Sequence, residues 1–184
     1  MEKIRDVLKK HGFTFKKSLG QNFLTDENLL DSIAEAAGIG KSDTVVEIGC
    51  GAGTLTRALS KLAGRVYAYE IDRDLRPVLA ETLAGCENTE VIFRDFSKEN
   101  LGELYREIGE YTVVANLPYY VTTPIVTRLL EEGAGVRGVC VMVQQEVAER
   151  FAAKEDTPEY GAITAAIALR GTAKIVKKVG RNMF

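Results

Sequence analysis

Residues Val45 to Thr56 read Val-Val-Glu-Ile-Gly-Cys-Gly-Ala-Gly-Thr-Leu-Thr, an apolar strand running straight into three alternating glycines and then an amphipathic helix. Gly49, Gly51 and Gly53 carry no Cβ, so the chain can turn tightly and bring backbone N–H groups against a ligand at the helix N-terminus. The next strand, Val66 to Tyr69, ends in Glu70, 19 residues beyond Gly51, a spacing that suits an acceptor for ribose hydroxyls. Gly-x-Gly-x-Gly departs from the dinucleotide pattern Gly-x-Gly-x-x-Gly, and no complete Gly-x-x-x-x-Gly-Lys-Ser/Thr phosphate loop occurs in the chain, since Gly40-Lys41-Ser42 has Glu35 in place of the first glycine. The cradle therefore favours an adenosine ligand without a pyrophosphate, and S-adenosylmethionine is the candidate. The competing reading is a strand-turn-helix corner whose glycines serve packing alone.

Working outward, strands and helices alternate with no internal repeat. The apolar positions Leu29, Leu30, Ile33, Ala34 and Ala37 recur at helical spacing after Thr25-Asp26, with Gly38 as the stop. Leu55, Ala58, Leu59 and Leu62 form a second stripe. Strands are predicted at Thr44–Ile48, Val66–Tyr69, Glu90–Phe93, Thr112–Ala115 and Val139–Val143, mostly apolar runs of the kind found in parallel sheets covered on both faces. Pro124 is expected in the first turn of a further helix, and Gln145 to Ala153 is read as helical. The fold class is α/β, a Rossmann-like, doubly wound, mostly parallel sheet in one domain spanning residues 1–184. On such sheets ligands bind beyond the carboxyl ends of the strands, where Gly49, Glu70, Asp95 and Asn116 all fall.

Val113 to Pro124 reads Val-Val-Ala-Asn-Leu-Pro-Tyr-Tyr-Val-Thr-Thr-Pro, another strand ending in a polar and aromatic cluster. An exocyclic adenine amine is a poor nucleophile because its lone pair is delocalised into the ring. It improves when acceptors hold both N–H bonds as the nitrogen becomes tetrahedral, and Asn116 Oδ1 with a backbone carbonyl near Pro118 would supply them. Tyr119 would stack on a base taken out of its helix. The alternative is a rigid Asn-Leu-Pro-Tyr turn with a buried tyrosine. Asp95 would either accept from an adenine amino group or cap the next helix, and its location favours binding. Glu47, inside a strand, reads as a structural acid that bonds loop amides. His11, the only histidine, is expected in a solvated basic tail, and its isolation argues against a Ser-His-Asp hydrolase or a histidine metal site. No metal is expected.

Composition agrees: 184 residues, 46% hydrophobic and 27% charged, suit one globular domain with a sizeable core. No apolar run approaches the roughly 20 residues needed to span a bilayer, and Met-Glu-Lys-Ile-Arg-Asp is no secretory signal, so a cytoplasmic protein without membrane contact is expected. Cys50, Cys86 and Cys140 form no Cys-x-x-Cys pair and are expected reduced and buried. The net charge of −2 hides a division: residues 1–22 hold six Lys/Arg against two acids, and residues 170–184 hold five against none. Basic ends around an acidic body either flank an RNA path, since Lys and Arg contacts to phosphate supply sequence-independent affinity, or form a solvated tail and a strand edge kept soluble by Lys174, Lys177 and Lys178.

The chain resembles the ribosomal RNA adenine N6,N6-dimethyltransferases that act near the 3′ end of small-subunit (16S) rRNA, over nearly its whole length. The motifs are Lys16-Lys17-Ser18-Leu19-Gly20-Gln21-Asn22-Phe23-Leu24, Glu47-Ile48-Gly49, Glu70-Ile71-Asp72-Arg73-Asp74-Leu75, Asn116-Leu117-Pro118-Tyr119, and Gln145-Glu146-Val147-Ala148-Glu149-Arg150 followed by Tyr160-Gly161. The resemblance implies that Asn22, Leu24, Gly49, Glu70, Asp95 and Asn116 contact S-adenosylmethionine, with Gly51 in the same loop. It implies a catalytic cluster of Asn116, Leu117, Pro118 and Tyr119, with Phe184 stacking on the target adenine. The implied partner is small-subunit rRNA in an immature 30S-type subunit, met by a monomer, with a role in ribosome biogenesis. Related macrolide-resistance methyltransferases, which act on large-subunit rRNA, commonly carry isoleucine where Leu117 stands. A non-catalytic ribosome-assembly protein is the reading from another class. Cys50 replaces a usual proline, which predicts a slightly looser loop, and Phe96 replaces a usual small residue, which leaves open how an adenine is covered. The family continues beyond position 184 through another strand and a small helical domain.

Overall fold

The computed structural model describes residues 4–14, 16 and 26–180, and of Tyr119 the backbone only. In chain order the elements are α1 (Ile4–Lys10), α2 (Glu27–Ala36), β1 (Thr44–Ile48), α3 (Thr54–Leu62), β2 (Arg65–Tyr69), α4 (Arg76–Thr82), β3 (Thr89–Ile92), α5 (Leu101–Ile108), β4 (Tyr111–Asn116), α6 (Tyr119–Glu132), β5 (Val136–Met142), α7 (Gln145–Phe151) and α8 (Ala162–Ala168). All five strands are parallel, in the order β3-β2-β1-β4-β5. The chain steps outward from β1 to β3 and then returns to the other side of β1, so the order reverses between β1 and β4.

Strand alternation sorts the core into two layers. Val46, Ile48, Tyr69, Val113 and Ala115 pack on one face with Leu101 and Leu104 of α5 and Ile125 and Leu129 of α6. Val45, Val66 and Val114 meet Leu29, Leu30 and Ala34 of α2 and Leu55, Ala58 and Leu59 of α3 on the other. Both helical stripes read from the sequence therefore face the sheet. Asp26 caps α2, its carboxylate accepting from the Leu29 amide, and Gly38 follows the helix with φ +64°. A third cluster seats Val7 and Leu8 of α1 against Leu75, Val78 and Leu79.

Several expectations are corrected. β5 starts at Val136 rather than Val139: Gly138 pairs with Thr112 next to an irregularity in the ladder at Tyr111 and Thr112, so partnering on β4 recruits a stretch whose Arg and Gly look unlike a strand. Pro124 lies inside α6 rather than in its first turn. The helix begins directly after Pro118, and Pro124 removes the bond from position 124 to the carbonyl of residue 120 and sets its ring against that carbonyl. Residues 172–180 form no strand. Lys177 Nζ there donates to Ser32 Oγ at 2.7 Å, and Val179 packs against the core layer of α2 and α3. This segment and β5 line a common cavity of about 1500 Å³. Of the three cysteines only Cys50 is buried; Cys86 and Cys140 are half-buried. None of the described helices is long and apolar enough to cross a membrane.

Candidate functional site

Strand register sets the site. Ile48 lies opposite Tyr69 on one side and Ala115 on the other, and Tyr69 lies opposite Ile92. Gly49, Glu70, Phe93 and Asn116 are each the next residue, so they form one row across the carboxyl edge of the sheet. Asp95 stands two residues beyond that row. The loop after β1 and the loop after β4 flank the point where strand order reverses, the usual place for a ligand on such a sheet.

The glycine loop is fixed by backbone bonds. The amides of Gly49 and Cys50 both donate to the Tyr69 carbonyl, at 2.9 and 3.0 Å. A proline at position 50 has no N–H to make the second bond, so Cys50 tethers the loop, and the expected loosening is offset. Gly49 has φ +73°, and a Cβ there would stand 2.7 Å from Leu117 Cδ2. The two loops that frame the crevice thus touch where Gly49 leaves room, and Leu117 packs on the glycine loop itself.

Glu70 is the hub of this edge. It is 6% exposed, and Gly51 N–H donates to its Oε2 at 2.8 Å while the amides of Ile71 and Asp72 donate to Oε1 at 2.8 Å each. Burial pushes its carboxyl up, and the three amides work against that shift. Three of roughly four acceptor positions are engaged, which leaves Oε2 capacity for one further hydroxyl donor. Asp95 does what the capping alternative requires, its Oδ1 accepting from the Ser97 amide at 3.0 Å and the Ser97 hydroxyl at 2.7 Å. The Ser97 hydroxyl is the largest cause holding its carboxyl below the ordinary range. Its side chain remains 43% exposed. Phe96 does not face a ligand: it is 3% exposed and meets Tyr69 edge-on, ring centroids 5.1 Å apart.

Asn116 ends β4 opposite Met142, and Pro118 enters α6. The Pro118 carbonyl accepts from the Val121 amide at 3.0 Å and the Thr122 hydroxyl at 3.3 Å, so it serves the helix start. Asn22, Leu24 and Phe184 lie outside the described residues, as does the Tyr119 side chain. Gly49, Gly51, Glu70, Asp95, Asn116, Leu117 and Pro118 are brought together at one edge.

One expectation about a polar residue is overturned. Glu47 does not bond the loop amides, which Glu70 and the Tyr69 carbonyl take instead. It is 1% exposed; among the described residues, neither its Oε2 nor the buried Thr56 Oγ1 has a hydrogen-bond partner. Desolvation pushes its carboxyl up to about 8, and the Glu70 charge adds to the shift. His11 is exposed, as expected, and is also paired: its Nε2 lies 2.7 Å from Glu81 Oε2, and Lys10 Nζ lies 2.8 Å from Glu81 Oε1. Lys16 is likewise engaged, with Asp72 and Asp74. Two of the six Lys/Arg of residues 1–22, Lys10 and Lys16, are thus paired with this chain's own acids.

One residue that carried no signal in the sequence also shapes the site. Arg128, on α6, donates to the carbonyls of Phe96 and Ser97 at 3.2 and 2.9 Å and to that of Glu99. A single guanidinium thus ties the helix that follows Asn116-Leu117-Pro118 to the turn that follows Asp95. The partners are 29 to 32 residues away in sequence, beyond any local pattern.

The sequence profile of the ribosomal RNA adenine dimethylase family matches residues 12–184. This chain belongs to that family. Small-subunit rRNA methyltransferase A of Bacillus licheniformis is 47% identical over 184 residues, covering 98% of this chain and 63% of the relative. The Clostridioides difficile protein of the same name is 46% identical over 183 residues, with the same coverage. The chain thus spans about 63% of the length of the curated relatives it matches. Among solved structures, a dimethyladenosine transferase from Plasmodium falciparum superposes with a TM-score of 0.69 at 30% identity, over 80% of this chain and 52% of the other. A 23S rRNA methyltransferase superposes with a TM-score of 0.63 at 34% identity, over 71% and 51%. The parallel sheet flanked by helices is the Rossmann-like fold of S-adenosylmethionine-dependent methyltransferases, as expected from the glycine loop.

Proposed function

We propose that this member of the rRNA adenine dimethylase family binds S-adenosylmethionine and dimethylates N6 of adenosines near the 3′ end of small-subunit rRNA. The observation that carries the reading is the row of Gly49, Glu70 and Asn116 across the switch point of the sheet, with Asp95 just beyond it. Glu70 would accept from a ribose hydroxyl, the Gly49 to Gly53 loop would pass under the ligand, and Asp95, with Oδ1 on Ser97, would offer Oδ2 to the adenine amine. When bound, S-adenosylmethionine supplies a sulfonium-activated methyl group. Asn116 Oδ1 would hold one N6 hydrogen of the target adenine. Because the Pro118 carbonyl serves the start of α6, the second acceptor is the Leu117 carbonyl. Held this way, the N6 lone pair is freed from the ring and aligned for displacement, so orientation and preorganised acceptors do the work. Asn22 and Leu24 complete the cofactor contacts in this reading, and Tyr119 and Phe184 stack on the target base.

The partner is an immature 30S-type subunit and the setting cytoplasmic, with the chain acting as a monomer in ribosome biogenesis. Residues 1–184 are the cofactor-binding catalytic unit, and the part of the curated relatives beyond the match is proposed to strengthen the grip on rRNA. Identity of 46–47% to relatives named for the small subunit favours this substrate over large-subunit rRNA. Methyl transfer from labelled S-adenosylmethionine to purified immature small subunits tests the proposal. Transfer only to naked large-subunit RNA would move the chain to the macrolide-resistance branch, and cofactor binding without any transfer would favour a ribosome-assembly binder.

A further inference from the structure

Glu70 and Asp72 are two acids two residues apart, 6% and 3% exposed. The Asp72 amide donates to Glu70 Oε1 at 2.8 Å, and the Asp72 charge opposes ionisation of Glu70. Glu47 and Cys50, which face Glu70 from β1 and its loop, bring no positive charge. A compensating charge comes from the N-terminal segment: Lys16 Nζ stands 2.6 Å from Asp72 Oδ1 and 2.6 Å from Asp74 Oδ2. Asp72 is 1% exposed at its side chain and Lys16 41%, so one partner of the pair is almost wholly desolvated. A buried carboxylate in that position demands a counter-charge.

The geometry points to Lys16 as a positioning residue for the cofactor acid: its ammonium neutralises Asp72, so that Glu70 stays an anion clamped across the amides of Gly51, Ile71 and Asp72. The relay is short and continuous, from Lys16 Nζ to the Asp72 carboxylate, through the Asp72 amide to Glu70, and from Glu70 to the Gly51 amide. An anionic Glu70 has lone pairs for all three amides and one hydroxyl donor. A protonated one surrenders an acceptor position and loosens the glycine loop. Removing Lys16 takes one positive charge away from Asp72, which favours the protonated form of Glu70. A purely structural lysine would lower stability without moving the titration of Glu70.

The consequence for ligand binding rests on the proposed cofactor reading, whereas the electrostatic link does not. The test therefore has two arms on the full chain. Carbon-13 NMR follows the Glu70 carboxyl through a pH titration in the wild type, Lys16→Met, Lys16→Arg and Lys16→Met/Asp72→Asn, with thermal unfolding as the check on folding. Lys16→Met should move the Glu70 midpoint upward, and Lys16→Arg should restore it. Asp72→Asn should cancel the shift while keeping an Oδ1 acceptor for the Asp74 amide, which Asp72 Oδ1 accepts at 3.1 Å. Calorimetry with S-adenosylmethionine should show the Lys16→Met affinity falling about 3- to 10-fold more at about pH 5.5 than at about pH 8. An unmoved midpoint, or one that Asp72→Asn does not return, overturns the inference. A midpoint that moves in a protein that never binds S-adenosylmethionine supports the inference and sinks the cofactor reading.

Discussion

Replacing Glu47 by Gln should change how the protein's stability depends on pH more than it changes the stability itself. Glu47 sits inside β1 and is 1% exposed, its Oε2 without a hydrogen-bond partner among the described residues. Desolvation raises its carboxyl from 4.5 to about 8. An acid raised on folding binds its proton more tightly in the native state, so its contribution is greatest at low pH. It fades as pH rises from about 4.5 towards and through about 8. Between about pH 5.5 and about pH 8 those two values give a loss of about 3 kcal/mol in the wild type. Gln carries no titrating proton and loses none of this. Its buried amide costs about 1–3 kcal/mol at every pH, an offset that drops out of the comparison. At 2–4 °C per kcal/mol for a chain of this size, the Tm of the variant minus that of the wild type should rise by about 6–12 °C between the two pH values. Scanning calorimetry on both proteins at both pH values measures it, other titrating groups cancelling in the difference. Tm lines that stay parallel within about 2 °C would refute a neutral Glu47 and mean that the carboxylate is ionised and satisfied.

Gly49→Ala should destabilise the fold by about 1–2 kcal/mol in urea unfolding, because φ +73° is unfavourable for any residue with a Cβ and Leu117 Cδ2 stands 2.7 Å from where that Cβ would be. Asn116→Ala should cut methyl transfer by roughly 10²–10³-fold in single-turnover assays while calorimetry finds most of the cofactor affinity retained; equal losses in both would confine Asn116 to a cofactor role. Arg128→Met should cost at least about 1.5–3 kcal/mol in unfolding free energy, since its guanidinium serves three carbonyls of the turn after Asp95, and an unchanged Tm would deny the latch. A version lengthened with the remaining portion of the curated relatives should methylate small subunits far faster and show a steeper salt dependence of RNA binding, at equal cofactor affinity. Equal activity and equal salt slopes for the two lengths would mean that residues 1–184 suffice.

The sequence by itself determined the layered α/β architecture and the edge at which the site lies. Those follow from local signals: apolar runs for the strands, stripes at helical spacing for α2 and α3, and glycines at Gly49, Gly51 and Gly53, whose positive φ a Cβ would oppose. Motif order then placed Glu70, Asp95 and Asn116 at strand ends, because a parallel sheet sends every carboxyl end to the same side. Tertiary structure alone decided what those residues touch. Whether Glu70 or Glu47 would hold the loop amides depended on how the turn after β2 folds against the loop after β1. Gly138 became part of β5 because β4 offered it a ladder. His11, Lys10 and Lys16 became clamps on α4 and the Asp72 turn because α1 docks there, bringing charges 56 to 71 residues apart into contact. Residue type and spacing encode what a few neighbouring positions prefer, whereas partners this distant are chosen only when the whole chain closes around its core.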